Sequence, residues 1–267
     1  MPPTDVHDSL PDTRYPTWIR PRRTVVFWLL AIGLVVAGTG VALVWPPGLA
    51  IALLAAPFAY IAIILTLASH RLGPRGGDVQ RRIHQLLIDA AGKQGRLLDI
   101  GCGSGQLLIR FAQSAPGEYV GLDSWGGDWQ YSRSQAERNA SLEGVEKVRF
   151  VQGSASALRF AEGEFGRVVS CLTFHEVRDA RDKTLSIAEA LRVLEPGGRF
   201  AFVDLFDDPR LYDGRHQALD AIARAGGTVE SSRRLSELLA LRYPLNLPKV
   251  LKYAVLMSGT KSVEKRP

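Results

Sequence analysis

Three glycines and one acidic residue form the most informative cluster in the sequence. An apolar run, Leu97–Ile100, leads into Gly101, Gly103 and Gly105. Glycine allows a sharp turn and lets a ligand approach the main chain with no Cβ in the way. The N-terminus of a following helix offers free N–H groups to an anion. About twenty residues later Asp123 ends the next apolar run, where a carboxylate can accept hydrogen bonds from ribose hydroxyls. The pattern predicts a nucleotide-like ligand.

A nicotinamide-dependent oxidoreductase is one alternative for this glycine loop. Its pattern, Gly-x-Gly-x-x-Gly, would require glycine at position 106, which is Gln106 here. The glycine spacing therefore favours a different ligand.

The chain from Gly77 onward alternates short apolar runs with amphipathic runs, which predicts a parallel sheet covered by helices. Strands are predicted at 96–100, 118–122, 148–152, 167–171, 199–204, 228–231 and 250–258. Helices are predicted at 78–92, 105–113, 129–143, 180–193, 214–225 and 233–241. We expect Pro196 to stop the fourth of these helices, and Gly197 and Gly198 to turn the chain into the next strand.

Five segments in order resemble the class I S-adenosylmethionine-dependent methyltransferases. Asp99–Gly105 is similar to their first motif and Asp123 to their ribose-binding acid, and the other similar segments are 153–160, 167–177 and 190–200. The resemblance implies an α/β, doubly wound, Rossmann-like sheet of seven strands, mostly parallel with the last strand antiparallel. It also implies a methyltransferase domain over residues 77–267, with S-adenosyl-L-methionine as cofactor.

The resemblance assigns parts of the cofactor to individual residues. Gly101, Gly103 and Gly105 would meet the methionine portion, Asp99 would lie near its amino group, and Asp123 would bind the ribose. The family commonly has an acid facing the adenine amine where this chain has Ser154, so the serine departs from the pattern. The remaining cofactor contacts expected by position are the backbone amide of Ala155 and the wall residue Cys171.

Candidates for contact with a methyl acceptor lie at the ends of two predicted strands. His175 and Glu176 follow the fourth strand and Asp204 ends the fifth, at the edge where open α/β sheets bind ligands. Either of the first two could take a proton from the acceptor or orient it. The alternatives are that His175 caps a loop, Glu176 starts a helix and Asp204 caps a turn.

Aromatic residues follow the ribose acid closely, in a segment that also holds the pair Gly126–Gly127. Trp125, Trp129 and Tyr131 could wall the adenine or an apolar acceptor, and their faces attract a sulfonium cation. Alternatively, Trp129 and Tyr131 only pack the following helix.

The N-terminal part of the 267-residue chain has a different composition, since Thr24 to Ser69 contains no charged residue. Segments 24–45 and 49–69 are each long enough to cross the roughly 30 Å hydrocarbon layer as helices. The turn Trp45–Gly48 contains two prolines and an interfacial tryptophan. The sequence therefore predicts a two-helix transmembrane hairpin after a cytoplasmic tail at 1–23.

Arginines flank this hairpin on its outer sides only, at positions 14, 20, 22, 23, 71, 75, 81 and 82. The positive-inside tendency then predicts a multi-pass protein of the cell membrane with both termini and the catalytic domain in the cytoplasm. Small residues four apart, Gly33 with Ala37, Ala52 with Ala56, and Ala55 with Ala59, predict close helix packing, and Pro57 predicts a kink. A cleaved signal peptide and a buried globular hairpin are the alternatives.

The remaining composition limits the class of partner. The net charge of +6 is concentrated around the hairpin, which fits a membrane surface rather than a nucleic acid. Cys102 and Cys171 are the only cysteines, and no metal site is expected. The favoured hypothesis is a membrane-anchored methyltransferase acting on a small or lipophilic acceptor. The rival is a non-catalytic membrane module that binds the cofactor or a partner, and the sequence defines no oligomeric state.

Overall fold

A computed structural model of the chain describes residues 15–126, 129 and 131–263. The chain divides into two compact units. The apolar unit contains Pro16–Arg82 and Arg242–Val250. The sheet unit contains Ile83–Leu241 and the chain from Leu251 onward.

Three helices make up most of the apolar unit: α1 (Pro21–Ala42), α2 (Leu49–Leu53) and α3 (Ala55–Leu72). Pro21 occupies the first turn of α1, where its missing N–H has no intrahelical partner to lose. The break at Leu54 lies one turn before Pro57, whose nitrogen cannot donate to the carbonyl of Leu53. The helix is therefore interrupted close to the expected kink.

Small residues pack the hairpin together, but they are partly different from those expected. A Cβ added to Gly38 would lie 2.4 Å from the backbone nitrogen of Ala52, so only glycine fits there. Gly33 and Ala37 are exposed, and the expectation that they pack is wrong. Ala31 and Gly38 are seven residues apart and share one face of α1, which turns Gly33 and Ala37 away from α3.

Seven strands form the sheet of the second unit. They are β1 (Leu97–Ile100), β2 (Tyr119–Asp123), β3 (Val148–Gln152), β4 (Phe165–Cys171), β5 (Leu194–Asp204), β6 (Gly227–Arg234) and β7 (Val255–Lys261). Their order is β3-β2-β1-β4-β5-β7-β6, and β7 runs antiparallel to both β5 and β6. All four residues of β1 are buried, as expected for a central strand covered on both faces. The predicted fold class is confirmed.

The part of the chain that the structure describes has six helices beside the sheet: α4 (Val79–Ala91), α5 (Gln106–Ser114), α6 (Arg133–Leu142), α7 (Thr184–Arg192), α8 (Arg215–Arg224) and α9 (Leu235–Leu238). The covering helices α5 and α7 bury apolar residues such as Leu108, Phe111, Ile187 and Leu191. The helices thus supply the outer layers that an α/β sheet requires.

The turn predicted at Gly197 and Gly198 and the strand start predicted at residue 199 are both wrong, because β5 already begins at Leu194. The helix expected at 180–193 already ends at Arg192, and Glu195–Gly198 lies inside β5 as a bulge between the pairs Phe165 with Leu194 and Arg167 with Arg199. The extra residues bulge out of the ladder, and Gly197 there has a positive φ of 79°.

The helix expected at 233–241 is also wrong. Arg233 and Arg234 pair with β7 as the last residues of β6, which leaves only the four-residue α9. The predicted start of the final strand at residue 250 is also wrong, since β7 starts at Val255.

Candidate functional site

The glycine loop between β1 and α5 has a backbone that other residues would strain. Gly101, Gly103 and Gly105 have φ values of 80°, 54° and 84°. The amide of Gly101 donates to the carbonyl of Leu122 at 2.7 Å, which ties the loop to β2. A Cβ at Gly101 would lie 1.9 Å from Oγ1 of Thr173. The loop therefore requires glycine both for its φ angles and for its packing.

Asp123 closes this loop from the neighbouring strand. The Gly103 amide donates to Asp123 Oδ2 at 2.9 Å, and the Trp125 amide donates to Asp123 Oδ1 at 2.7 Å. Burial raises the pKa of Asp123, while hydrogen bonds from the amides of Trp125, Gly103 and Ser124 oppose that rise. The three amides use three of the roughly four lone pairs on the two carboxylate oxygens, so at least one lone pair can still accept a hydroxyl. The structure thus joins two features that are twenty residues apart in sequence.

Asp99 is a buried polar side chain beside the loop. It is 1% exposed, and among the described residues its Oδ2 has no hydrogen-bond partner. Burial and the charge of Asp123 raise the pKa of Asp99 to about 8. Burial therefore disfavours the ionised form of this carboxyl. A ligand that brings a positive charge close to Asp99 would stabilise the ionised form.

The two cysteines lie between acidic groups. Burial raises the pKa of the Cys102 thiol, and the charges of Asp99 and Asp123 add to this rise. Burial also raises the pKa of Cys171, with contributions from Asp99 and Asp204. Both thiols are therefore held protonated, which fits Cys171 as a wall residue and not as a nucleophile.

The aromatic segment borders the glycine loop. The indole Nε1 of Trp125 donates to the carbonyl of Gly103 at 2.9 Å. Trp129 and Tyr131 stack with ring centroids 5.5 Å apart and planes 4° apart. A Cβ at Gly103 would lie 3.3 Å from Cδ2 of Tyr131. Two of these aromatics therefore contact the loop that is expected to hold the ligand.

The predicted start of the next helix at Trp129 is wrong. Helix α6 begins at Arg133, because Ser132 acts as its N-cap and accepts a hydrogen bond from the amide of Gln135 at 3.1 Å. Trp129 and Tyr131 thus precede the helix. Gly127, Asp128 and Gln130, which belong to the same segment, lie outside the described residues.

A histidine and an aspartate meet at the ends of β4 and β5. These strands are adjacent and parallel, with Cys171 opposite Val203, so the segments after them share one edge. Nδ1 of His175 lies 2.6 Å from Oδ1 of Asp204, and the amide of His175 donates to Oδ2 at 3.2 Å. Asp204 is fully buried. The pair has the arrangement of a base oriented by a carboxylate.

The surroundings of His175 favour its protonated form. Burial lowers the pKa of His175, but the charge and hydrogen bond of Asp204 and the charge of Glu176 outweigh burial, so the pKa is raised. The charge of Lys183 acts in the opposite direction. Oε1 of Glu176 lies 3.8 Å from Nε2 of His175, so Glu176 faces the imidazole nitrogen that Asp204 does not bind.

The loop after β3 holds the serine that departs from the family pattern. Ser154 Oγ lies 2.9 Å from Ser156 Oγ, and the hydroxyl of Ser156 donates to Oδ2 of Asp179 at 2.8 Å. Ala155 between the serines is buried. Sequence reasoning missed Asp179 and Thr173, since no motif marks either residue. The signal in the sequence is Ser154, which stands where the family commonly has an acid, so a carboxylate at this place has to come from another position.

Metal ligation finds no support in the described part of the chain. Within residues 15–126, 129 and 131–263, no group of three or more His, Cys, Asp or Glu residues is placed to hold a metal ion.

The strand order and the glycine loop closed by Asp123 define an α/β protein of the class whose members bind nucleotide-like ligands at the carboxyl edge of the sheet. Comparisons with known proteins indicate which group within this class of α/β proteins the chain resembles. Residues 98–202 match the family model described as a methyltransferase domain. An uncharacterized methyltransferase of Synechocystis sp. is 35% identical over 151 residues, covering 56% of this chain and 63% of the relative.

A second curated relative and one solved structure are also methyltransferases. A demethylmenaquinone methyltransferase of Thermus thermophilus is 34% identical over 144 residues, covering 53% of this chain and 61% of the relative. The crystal structure of a geranyl diphosphate C-methyltransferase from Streptomyces coelicolor, in complex with S-adenosyl-L-homocysteine, has the same fold. It superposes with a TM-score of 0.57 at 16% identity, covering 70% of this chain and 81% of that one.

Over residues 98–202 the chain is therefore similar to a methyltransferase domain, and its sheet unit has the fold of a methyltransferase solved with S-adenosyl-L-homocysteine. The match covers less than two thirds of the length of either curated relative.

Proposed function

We propose that the protein is a membrane-anchored methyltransferase that transfers a methyl group from S-adenosylmethionine to a small, lipophilic acceptor. The observation that carries the proposal is the buried carboxylate oxygen of Asp99, which has no partner in the described chain and lies beside a glycine loop closed by Asp123. These residues match the cofactor group by group. Asp99 would lie near its amino group, the loop would meet its methionine portion and Asp123 would bind its ribose.

The cofactor supplies an electrophilic methyl group on a sulfonium that is already a good leaving group. The chain has to position the acceptor in line with that methyl group and exclude water. The Gly101–Gly105 backbone and Asp123 hold the donor side of this arrangement. Trp125 and Tyr131 lie at the loop, where their aromatic rings would attract the sulfonium charge.

His175 is proposed as the base that takes the acceptor's proton. With Nδ1–H donated to Asp204, the lone pair of Nε2 is available for that proton. The imidazolium that forms is stabilised by Asp204 and by Glu176. Proton removal leaves a more nucleophilic acceptor atom, and the sulfonium needs no acid to leave.

The pH dependence of turnover tests this role. Only neutral His175 can accept a proton, and its pKa is raised, so we expect kcat/KM to rise with pH through a limb above pH 6.5. Asp204→Asn removes the charge of Asp204, which contributes most to raising the pKa of His175. Burial and the charge of Lys183 still lower that pKa, so the limb should move to lower pH. Glu176 and the nearby Asp208 remain in both proteins. A pH–rate profile that is the same in both proteins would contradict the assignment.

The membrane anchor is supported by the apolar helices. Pro21–Ala42 and Pro46–Leu72 are long and apolar enough to cross a bilayer, and only 11% and 17% of their most apolar stretches are buried. A core hairpin of a soluble protein would be mostly buried. The proposed topology has Trp45–Gly48 outside and the sheet unit in the cytoplasm, where S-adenosylmethionine is available. The names of the relatives, which refer to demethylmenaquinone and geranyl diphosphate, support an apolar acceptor.

A pair of matched substitutions tests the anchor. Val36 is 64% exposed on α1, and Leu185 is 49% exposed on α7. An arginine near the middle of a membrane span costs about 3 kcal/mol for insertion. Val36→Arg should therefore lower the fraction of full-length protein that resists carbonate extraction from membranes, and Leu185→Arg should leave it unchanged. Equal extraction of both variants would argue against a span at α1.

The rival function is a module that binds the cofactor without transferring methyl groups. The His175–Asp204 pair favours an enzyme, because a binding module has no need of an oriented base at this edge. Membranes containing the protein should transfer label from methyl-labelled S-adenosylmethionine to an extractable small molecule. Cofactor binding with no labelled product in any fraction would favour the rival.

A further inference from the structure

The order of the strands sets the order of the ligand's parts along the sheet edge. In the proposed cofactor site, the loop after β1 would meet the methionine portion and Asp123 at the end of β2 would meet the ribose. The next strand outward is β3. The Gly153 amide donates to the Asp123 carbonyl at 3.0 Å, so the loop after β3 starts beside the ribose acid. A base attached to a ribose at Asp123 would therefore extend toward residues 153–157.

A carboxylate reaches this loop from another part of the chain. Asp179 follows β4 in sequence, yet its Oδ2 accepts a hydrogen bond from the Ser156 hydroxyl at 2.8 Å. The hydroxyl of Ser154 is also hydrogen-bonded to Asp179 and lies 2.9 Å from that of Ser156. The Ser156 amide donates to Ser154 Oγ at 3.2 Å, which fixes the loop that presents both hydroxyls. Two serines thus hold one acid at the place where the base is expected.

The charge state and exposure of Asp179 suit a ligand contact. Hydrogen bonds from Ser154 and Ser156 lower its pKa, as does the charge of Lys183, so it stays ionised at neutral pH. Asp179 is exposed, and its two oxygens offer more lone pairs than the two serines use. A solvent-facing carboxylate at this position can accept hydrogen bonds from a ligand.

We propose that Asp179, held by Ser154 and Ser156, recognises the exocyclic amine of the cofactor's adenine. This inference rests on the proposed cofactor site and assigns its base specificity. An amine donates hydrogen bonds, which a carboxylate accepts. A base with a carbonyl in place of the amine puts an acceptor against the carboxylate and is repelled.

Binding of two ligands tests the assignment: S-adenosylhomocysteine and its deaminated analogue, S-inosylhomocysteine. Calorimetry on the full-length protein should show that the wild type prefers the adenine ligand by about 10-fold or more, the effect expected of one hydrogen bond to a charged group. In Asp179→Asn the amide can donate to the carbonyl, so the preference should fall to near unity. Asp220→Asn, an exposed change on α8, is the matched control and should keep the wild-type preference.

Two further variants separate recognition from a structural effect. Ser156→Ala removes a hydroxyl that holds Asp179 and should reduce the preference in part. Adding Ser154→Asp to Asp179→Asn returns an acid to the loop and should restore the preference. Retention of the full preference by Asp179→Asn overturns the inference while leaving the cofactor site intact. A wild type that binds neither ligand overturns the proposed function, and the inference fails with it.

Discussion

Replacing Asp123 with alanine is expected to weaken binding of S-adenosylhomocysteine by about 10-fold to 100-fold, since a hydrogen bond from a ribose hydroxyl to a charged group is worth about 1.5–3 kcal/mol. The same change releases the amides of Gly103 and Trp125, which Asp123 now holds. The loop would then lose its tie to β2 at this point. Calorimetric titration of the full-length protein measures the change.

The comparison variants make this result specific. Asp123→Asn keeps one carbonyl acceptor and should have an intermediate affinity. Asp220→Asn removes an exposed carboxylate from α8 and should bind like the wild type. If folded Asp123→Ala bound the ligand with unchanged affinity, the ribose assignment would be wrong.

Replacing His175 with alanine is expected to lower kcat by about 100-fold to 10,000-fold, which is the usual contribution of a general base. Affinity for S-adenosylhomocysteine should stay nearly unchanged, because the proposed role of His175 is toward the acceptor. Asp204→Asn should also lower kcat, since the imidazole loses the group bonded to Nδ1. Single-turnover transfer of labelled methyl, with the acceptor identified from membranes, separates this rate from cofactor binding.

The control for this prediction is another histidine. His216 is exposed on α8, and His216→Ala should leave kcat unchanged. Full kcat in His175→Ala would show that the acceptor reaches the enzyme already deprotonated, or that another group takes the proton.

The cofactor loop could be predicted because its determinants are local. A buried strand, glycines at fixed spacing and an acid at the next strand end are consecutive features, and Gly101, Gly103 and Asp123 lie together as their positions required. The parallel sheet could be predicted for the same reason, because short apolar runs and amphipathic runs alternate along the chain. His175 and Asp204 were each placed at strand ends, and the adjacency of β4 with β5 brings them together.

Other features depend on contacts that no local pattern encodes. The hydrogen bond of Asp179 with Ser156 joins two loops, so neither residue type was informative alone. The packing of Thr173 on Gly101 depends on the path of the chain after β4. In the hairpin, the packing face is set by Gly38 and not by the equally suitable spacing of Gly33 with Ala37. Helix α6 starts late because Ser132 caps it, although the apolar pattern extends further back.

The most direct test of the cofactor site is a competition titration of the purified full-length protein in lipid nanodiscs. S-adenosylhomocysteine should bind with a stoichiometry of one per chain, and an excess of NADH should not displace it. The reason is that the glycine spacing, and the Asp99 oxygen that has no partner among the described residues, suit an amino acid portion. Absence of binding by S-adenosylhomocysteine, or its displacement by NADH, would contradict the assignment.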